Sequence, residues 1–205
     1  MNKQELRNKA KDIRKALNIE KISHDICTKI RKMDIYKSAQ NVMIFYPMKY
    51  EISLLELLED EKNFYLPKIF NPTGCHSKAK FNEILRCAQN DVLVEESHKN
   101  LFVCPYSKNL KKSELGIYEP CSNPVNPEIL DLIFVPALMV DEDNYRLGYG
   151  GGFYDRFLAQ YNNIKTIVPI AKELIIEKLP QDKWDIRTNY IINEKEEPEG
   201  SPDLG

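Results

Sequence analysis

Apolar residues recur at helical spacing from the start of the chain. Leu6, Ala10, Ile13 and Leu17 stand at i, i+4, i+7 and i+11, one stripe that predicts a helix over residues 3–17. Lys3, Arg7, Lys11 and Arg14 form a second row, about 90° around the helix from the first at 3.6 residues per turn. Basic side chains are therefore expected along the rim of the buried face. Ile22, Ile26, Ile30 and Met33 predict a second amphipathic helix. The period then changes: Val42 to Tyr46 is a continuous apolar run closed by Pro47, as in a strand buried on both faces. Leu54 to Leu58 reads as a helix and Phe64-Tyr65-Leu66 as the next strand. That order gives a strand, a crossover and a strand, for which a right-handed connection is expected.

Further on, Asn71-Pro72-Thr73-Gly74 predicts a turn, and Asn82 to Val94 shows no decisive period. Leu101-Phe102-Val103 reads as a strand, and Pro120, Pro124 and Pro127 mark a loop before the run Ile129 to Pro136, which is expected to be a central parallel strand. Phe153 to Tyr161 has helical spacing, and Thr166 to Val168 and Tyr190 to Ile192 supply two more short strands. Residues 194–205 hold too little apolar content to pack and are expected to be mobile. With no repeat and no long linker, residues 1–193 read as a single α/β domain: a mostly parallel sheet flanked by helices, three-layered and Rossmann-like.

Composition narrows the class. In 205 residues, 42% are apolar and 29% charged, values of a globular chain rather than a disordered, collagenous or coiled-coil one. Twenty-nine basic against 31 acidic residues leave a net charge of −2, so the chain as a whole is not built to seek nucleic acid or an anionic membrane. Lys108, Lys111 and Lys112 are only a small cluster of the kind a solvated loop carries. Met1 to Lys15 combines basic residues with no apolar run, unlike a secretory signal or an anchor, and a cytoplasmic location is expected. Five cysteines without a C-x-x-C pair read as free thiols, and three scattered histidines leave little room for a zinc site or a Ser-His-Asp triad.

The chemistry concentrates elsewhere. Four of the eight glycines fall within residues 148–152, in Arg146-Leu147-Gly148-Tyr149-Gly150-Gly151-Gly152-Phe153-Tyr154-Asp155-Arg156. Glycines let backbone N–H groups approach a ligand closely, and the N-terminus of the helix that follows favours an anion. The same cluster would also make a tight turn. It is neither a P-loop, since no Gly-Lys-Ser/Thr follows, nor a dinucleotide fingerprint, whose third glycine would fall on Phe153. Asp155 reads either as an acid complementing the helix dipole or as a carboxylate for Mg²⁺ beside a polyphosphate.

This segment, preceded by Phe134-Val135-Pro136 and Asp141, resembles the signature of the 5-formyltetrahydrofolate cyclo-ligase family. Lys3-Gln4-Glu5-Leu6-Arg7, Tyr46 with Glu51-Ile52, and Gly116-Ile117-Tyr118-Glu119-Pro120 (a loop in the family) are similar to further family segments, so the resemblance spans most of residues 3–193. It implies an ATP- and Mg²⁺-dependent conversion of 5-formyltetrahydrofolate to 5,10-methenyltetrahydrofolate. Carried over by position, Lys3, Gln4, Glu5, Leu6 and Arg7 would bind nucleotide together with Arg146, Leu147, Gly148, Tyr149, Gly150, Gly151, Gly152, Phe153 and Tyr154. Tyr46, Glu51 and Tyr149 to Phe153 would line the folate site, Asp155 would hold the metal, and Arg146 and Tyr154 would be catalytic. The implied partners are the folate and ATP alone, with no nucleic acid and no membrane, and a monomer is expected. Near the C-terminus the family usually shows an Asp, a short spacer, a second Asp and then a strand ending Thr-Glu; Asp185 fits the first, but Asn189 stands at the second and the ending is Asn193-Glu194, which puts a second metal contact in doubt. Residues 73–96 match no part of the family. Two other readings keep the fold: a kinase or ligase for another small acid, and a nucleotide-binding protein without catalysis.

Overall fold

A computed structural model describes residues 1–70, 100–113 and 116–196. The expected turn at 71–74, the unmatched region 73–96 and most of the expected tail lie outside the described residues. Two helices open the chain, α1 (Lys3–Ala16) and α2 (Ile19–Ile30), followed by the short α3 (Asp34–Ser38). Asn2 and Glu5 close a reciprocal capping box on α1, each side chain accepting the other's backbone N–H. The main sheet contains β1 (Asn41–Met43), β2 (Asn63–Phe70), β3 (Asn100–Pro105), β6 (Leu132–Phe134), β9 (Lys165–Pro169) and β11 (Tyr190–Ile192). Its spatial order is β11-β9-β6-β1-β2-β3, parallel throughout except for the antiparallel edge pair β2 and β3. Val42, Met43 and Ile44 are fully buried in succession, as are Leu132, Ile133 and Phe134, so both faces of the sheet are covered. The chain is a single mostly parallel α/β domain.

A hairpin, β4 (Leu110–Lys112) with β5 (Tyr118–Pro120), and a small sheet of β7 (Met139–Asp141), β8 (Arg146–Leu147) and β10 (Ile175–Ile176) complete the strands, and α4 (Phe153–Gln160) follows β8. Several expected boundaries change. The run at 54–58 is a 3₁₀ turn over Leu55–Glu59 rather than a full helix, and the run at 129–136 is divided between a 3₁₀ turn, Pro127–Ile129, and β6. Tyr118 to Pro120 pairs as a strand instead of forming a loop. β2 continues through Pro67, because β1 ends at Met43 and leaves that edge of β2 without a neighbour. Pro67 and Ile69 share parity, and Ile69 turns its N–H to the Glu119 carboxylate; the missing N–H of Pro67 therefore costs no ladder bond.

The strand order also fixes where a ligand can enter. From the central β1 the chain moves first to β2 on one side and later to β6 on the other. The connections leaving the carboxyl ends of β1 and β6 therefore part, opening the crevice in which α/β sheets bind ligands. Phe45, Tyr46 and Met48 follow β1 into this crevice and Pro136 follows β6. Beyond β11, Glu194 to Glu196 are fastened to the body: Glu194 accepts the Lys172 N–H, Asn193 caps Lys195 and Glu196, and Lys172 pairs with Glu196.

Candidate functional site

The crevice is a cleft of about 510 Å³, within the range of small-molecule sites. Its floor is the glycine segment. β7 and β8 form a tight hairpin whose turn is held by Asp141, fully buried, which accepts N–H bonds from Tyr145 (2.8 Å) and Leu179 (3.0 Å). Beyond β8 the chain runs from Gly148 to Gly152 and enters α4. Gly152, the N-cap, has φ +63°, a left-handed conformation that glycine adopts without strain. A Cβ on Gly151 would stand 2.6 Å from the Phe153 ring, so this turn has no room for a side chain. Arg7 Nε donates to Gly148 O at 3.0 Å and Arg156 Nη1 to Gly151 O at 3.1 Å, fastening the loop from both sides.

Arg146 is the cation at the centre. Its guanidinium donates to Asp155 Oδ1 at 2.9 Å and lies 5.6 Å from the centre of the Tyr154 ring. Arg146 Nε and Tyr154 Oη are buried and have no hydrogen-bond partner among the described residues. Burial pushes the Tyr154 hydroxyl's pKa up, partly offset by the Arg146 charge, so it stays protonated and able to donate. Orphaned polar atoms cost stability unless something meets them; here both belong to side chains lining the cleft. Lys3 adds a second charge, held by Asp182 (2.7 Å) and Asp185 (2.6 Å). Burial opposes its charge, but the two carboxylates outweigh that and hold its pKa above the ordinary value.

A second set of groups lies along the same cleft. Tyr149 donates its hydroxyl to Glu51 Oε1, and Glu51 Oε2 accepts the Met48 N–H at 2.7 Å. Burial, then the Glu51 charge, raises the Tyr149 pKa. Arg14 completes the cluster: it donates to Tyr149 Oη at 2.7 Å and to Ala137 O, and stands 3.8 Å from Glu51. Tyr46 packs against Tyr118 with ring centroids 4.9 Å apart, and Trp184 stands at the rim, 62% exposed.

The structure thus gathers Lys3, Arg7, Tyr46, Glu51, Arg146 to Tyr154 and Asp155 around one cleft. Gln4, Glu5 and Leu6 do not line it: Gln4 bonds to Asn8, Glu5 caps α1 and Leu6 is in the core. Asn189, standing where the family has an acid, accepts the N–H and hydroxyl of Thr166 and so ties β11 to β9. Arg14 belongs to the basic row of α1 expected along the rim of the buried face, yet it is 5% exposed and bonded into this cluster. Its spacing in that row was the available signal. Trp184 and Asp182 carry no local pattern that singles them out for the cleft, whereas Glu119 stands in the Gly116 to Pro120 segment that resembles the family.

Fold and site together define an α/β protein with a glycine-rich loop and a buried arginine joined to an aromatic, carboxylate-bearing pocket at the switch point of the sheet. Residues 1–194 match the 5-formyltetrahydrofolate cyclo-ligase family, and the chain belongs to it. The 5-formyltetrahydrofolate cyclo-ligase of Haemophilus influenzae is 29% identical over 162 residues, 73% of each chain. The solved structure of Aquifex aeolicus 5,10-methenyltetrahydrofolate synthetase superposes with a TM-score of 0.70 at 29% identity, covering 96% of this chain and 91% of that one. A Mycoplasma pneumoniae 5,10-methenyltetrahydrofolate synthetase shares the fold, with a TM-score of 0.67 at 20% identity over 95% of this chain and all of its own. No helix among the described residues is long and apolar enough to cross a membrane.

Proposed function

We propose that the cleft converts 5-formyltetrahydrofolate and ATP to 5,10-methenyltetrahydrofolate, ADP and phosphate, as the family's name describes. The formyl oxygen attacks the γ-phosphorus and ADP departs. N10 then closes on the activated carbon, loses its proton, and phosphate leaves with the former formyl oxygen. An amide oxygen is a poor leaving group, and phosphorylation removes that obstacle. The protein's part is mostly positioning and charge stabilisation, which suits a cleft without a nucleophile-base pair.

The observation that carries this reading is the buried Arg146 beside Tyr154, each with an unpartnered donor, at the start of α4. Arg146 offers fixed charge and a planar fork to phosphate oxygens. Tyr154 Oη donates to the transferring group, Lys3 and Arg7 attract the remaining phosphates, and the loop from Gly148 to Gly152 brings backbone donors close. Asp155 fits Mg²⁺: Arg146 and the Ile186 N–H both use its Oδ1, leaving Oδ2 without a partner among the described residues. A single carboxylate beside phosphates and water is a common Mg²⁺ arrangement, and the ion bound there neutralises phosphate charge. Tyr46 and Glu51 line the pocket for the pterin. Cys27 and Cys104 are free thiols buried in the body of the domain, in keeping with a cytoplasmic location.

The purified protein mixed with 5-formyltetrahydrofolate and MgATP is expected to develop the near-ultraviolet band of the methenyl product, and to develop none when ATP or metal is withheld. No band with ATP still bound would move the assignment to another substrate or to a binding protein. Asp155→Asn is expected to keep the fold, raise the Mg²⁺ concentration needed for half-maximal rate at least about tenfold and lower turnover about 100-fold. A metal titration curve unchanged from wild type would remove Asp155 from the metal site.

A further inference from the structure

Glu119 is a buried carboxylate in the cleft wall to which the mechanism above gives no task. It is 9% exposed and lines the cleft from β5. Its Oε1 accepts the Ile69 N–H at 3.0 Å, closing the open edge of β2. That bond asks only for an oxygen, which a neutral amide would also supply. The surrounding wall is apolar, made by Pro67, Ile69, Leu101 and Ile117, and no salt bridge to Glu119 is formed among the described residues. A full negative charge in such a place is costly unless a donor meets it. Burial accordingly pushes the Glu119 carboxyl above the usual carboxylate range, against the Ile69 N–H, the Lys68 charge and the Ser113 hydroxyl; the Cys104 thiol on β3 is the other titratable group close to it.

The charge also limits what this wall can receive. It repels the phosphates of ATP, which belong with Lys3, Arg7 and Arg146, and it repels the glutamate carboxylates of a folate. What remains is a flat group carrying N–H donors, and the paired rings of Tyr46 and Tyr118 provide an aromatic surface in the same cleft. Glu51, by contrast, already accepts from Tyr149 and Met48 and stands beside the Arg14 charge.

We propose that Glu119 is a second substrate-reading carboxylate, whose other oxygen, the one not taken by the Ile69 N–H, accepts an N–H of the pteridine ring of the bound folate. The proposal rests on the folate reading of the cleft. Its test is Glu119→Gln, which keeps shape and the acceptor for Ile69 but removes the charge. Binding of 5-formyltetrahydrofolate is followed by the fluorescence of Trp184, the chain's one tryptophan, and ATP binding is measured separately.

The variant is expected to melt within a few degrees of wild type, to bind ATP unchanged and to bind 5-formyltetrahydrofolate about 10- to 100-fold more weakly, the range of a hydrogen bond to a charged group. Wild-type affinity should fall as pH drops through the raised pKa of Glu119, and the variant should lose that dependence. p-Aminobenzoylglutamate, which keeps the amide and lacks the pteridine, is expected to bind both proteins alike. If Glu119→Gln binds the folate as well as an active wild type does, Glu119 only seals the strand edge and the proposal fails alone. Equal weakening for p-aminobenzoylglutamate overturns the pteridine assignment. Failure of wild type to bind 5-formyltetrahydrofolate overturns this proposal together with the reading beneath it.

Discussion

Arg146→Ala is expected to lower turnover by at least about a thousandfold, the scale set by losing an arginine that stabilises a transferring phosphoryl group. The side chain sits on β8, 3% exposed, with its guanidinium between Asp155 and the Tyr154 ring. On the proposed mechanism, removing it takes the fixed charge from the point where phosphate oxygens would gather negative charge, and leaves Asp155 without the one cation that pairs with it among the described residues. Two controls separate chemistry from folding. Arg146→Lys keeps the charge and loses the fork, so it should recover part of the rate but not all of it. Thermal unfolding of both variants should stay within several degrees of wild type, because Asp155 is still 19% exposed and reaches water. Turnover by Arg146→Ala within tenfold of wild type would take Arg146 out of the phosphoryl-transfer site.

The parallel core was legible in the sequence because strands buried on both faces read as unbroken apolar runs, and Val42 to Phe45 and Leu132 to Val135 do so. Element ends were less legible. β1 stops at Met43 although apolar residues continue: Ile44 still donates its N–H to Tyr65 O, and Phe45 and Tyr46 then turn into the cleft wall, a tertiary demand that composition does not carry. The glycine loop announced itself through density and spacing, and its place before α4 agrees with the structure. The carboxylates were harder. Asp182 and Asp185 line the cleft and meet Lys3 across 179 and 182 residues of sequence, and Glu119 reaches it through the folding of a hairpin against β2. Long-range pairing leaves no local period to find. Asn189 shows the converse: a position marked by departure from the family's acid proves to be a strand tie to Thr166.

Arg14 is the residue for which that gap between pattern and structure has the largest energetic consequence. On α1 it belongs to a row with Lys3, Arg7 and Lys11, yet Lys11 faces solvent while Arg14 is buried. From there it joins three segments: Ala137 after β6, Tyr149 in the glycine loop and Glu51 after β1. Arg14→Met keeps the stem and removes the charge and donors, leaving the buried Glu51 carboxylate without its cation. Breaking a buried pair in this way costs about 3 kcal/mol, or roughly 6–12 °C of melting temperature for a domain of this size.

Folate affinity should fall as well, because Tyr149 and Glu51 lose the group that orients them, whereas ATP binding at Lys3, Arg7 and Arg146 should change little. The double variant Arg14→Met with Glu51→Gln distinguishes a lost cation from lost packing. With no stranded charge it should regain much of the melting temperature, while its folate binding stays weak. An Arg14→Met protein that melts with wild type and binds folate normally would mean that the cluster of Arg14, Tyr149 and Glu51 orients nothing, and that Glu51 is held by Met48 and Tyr149 alone.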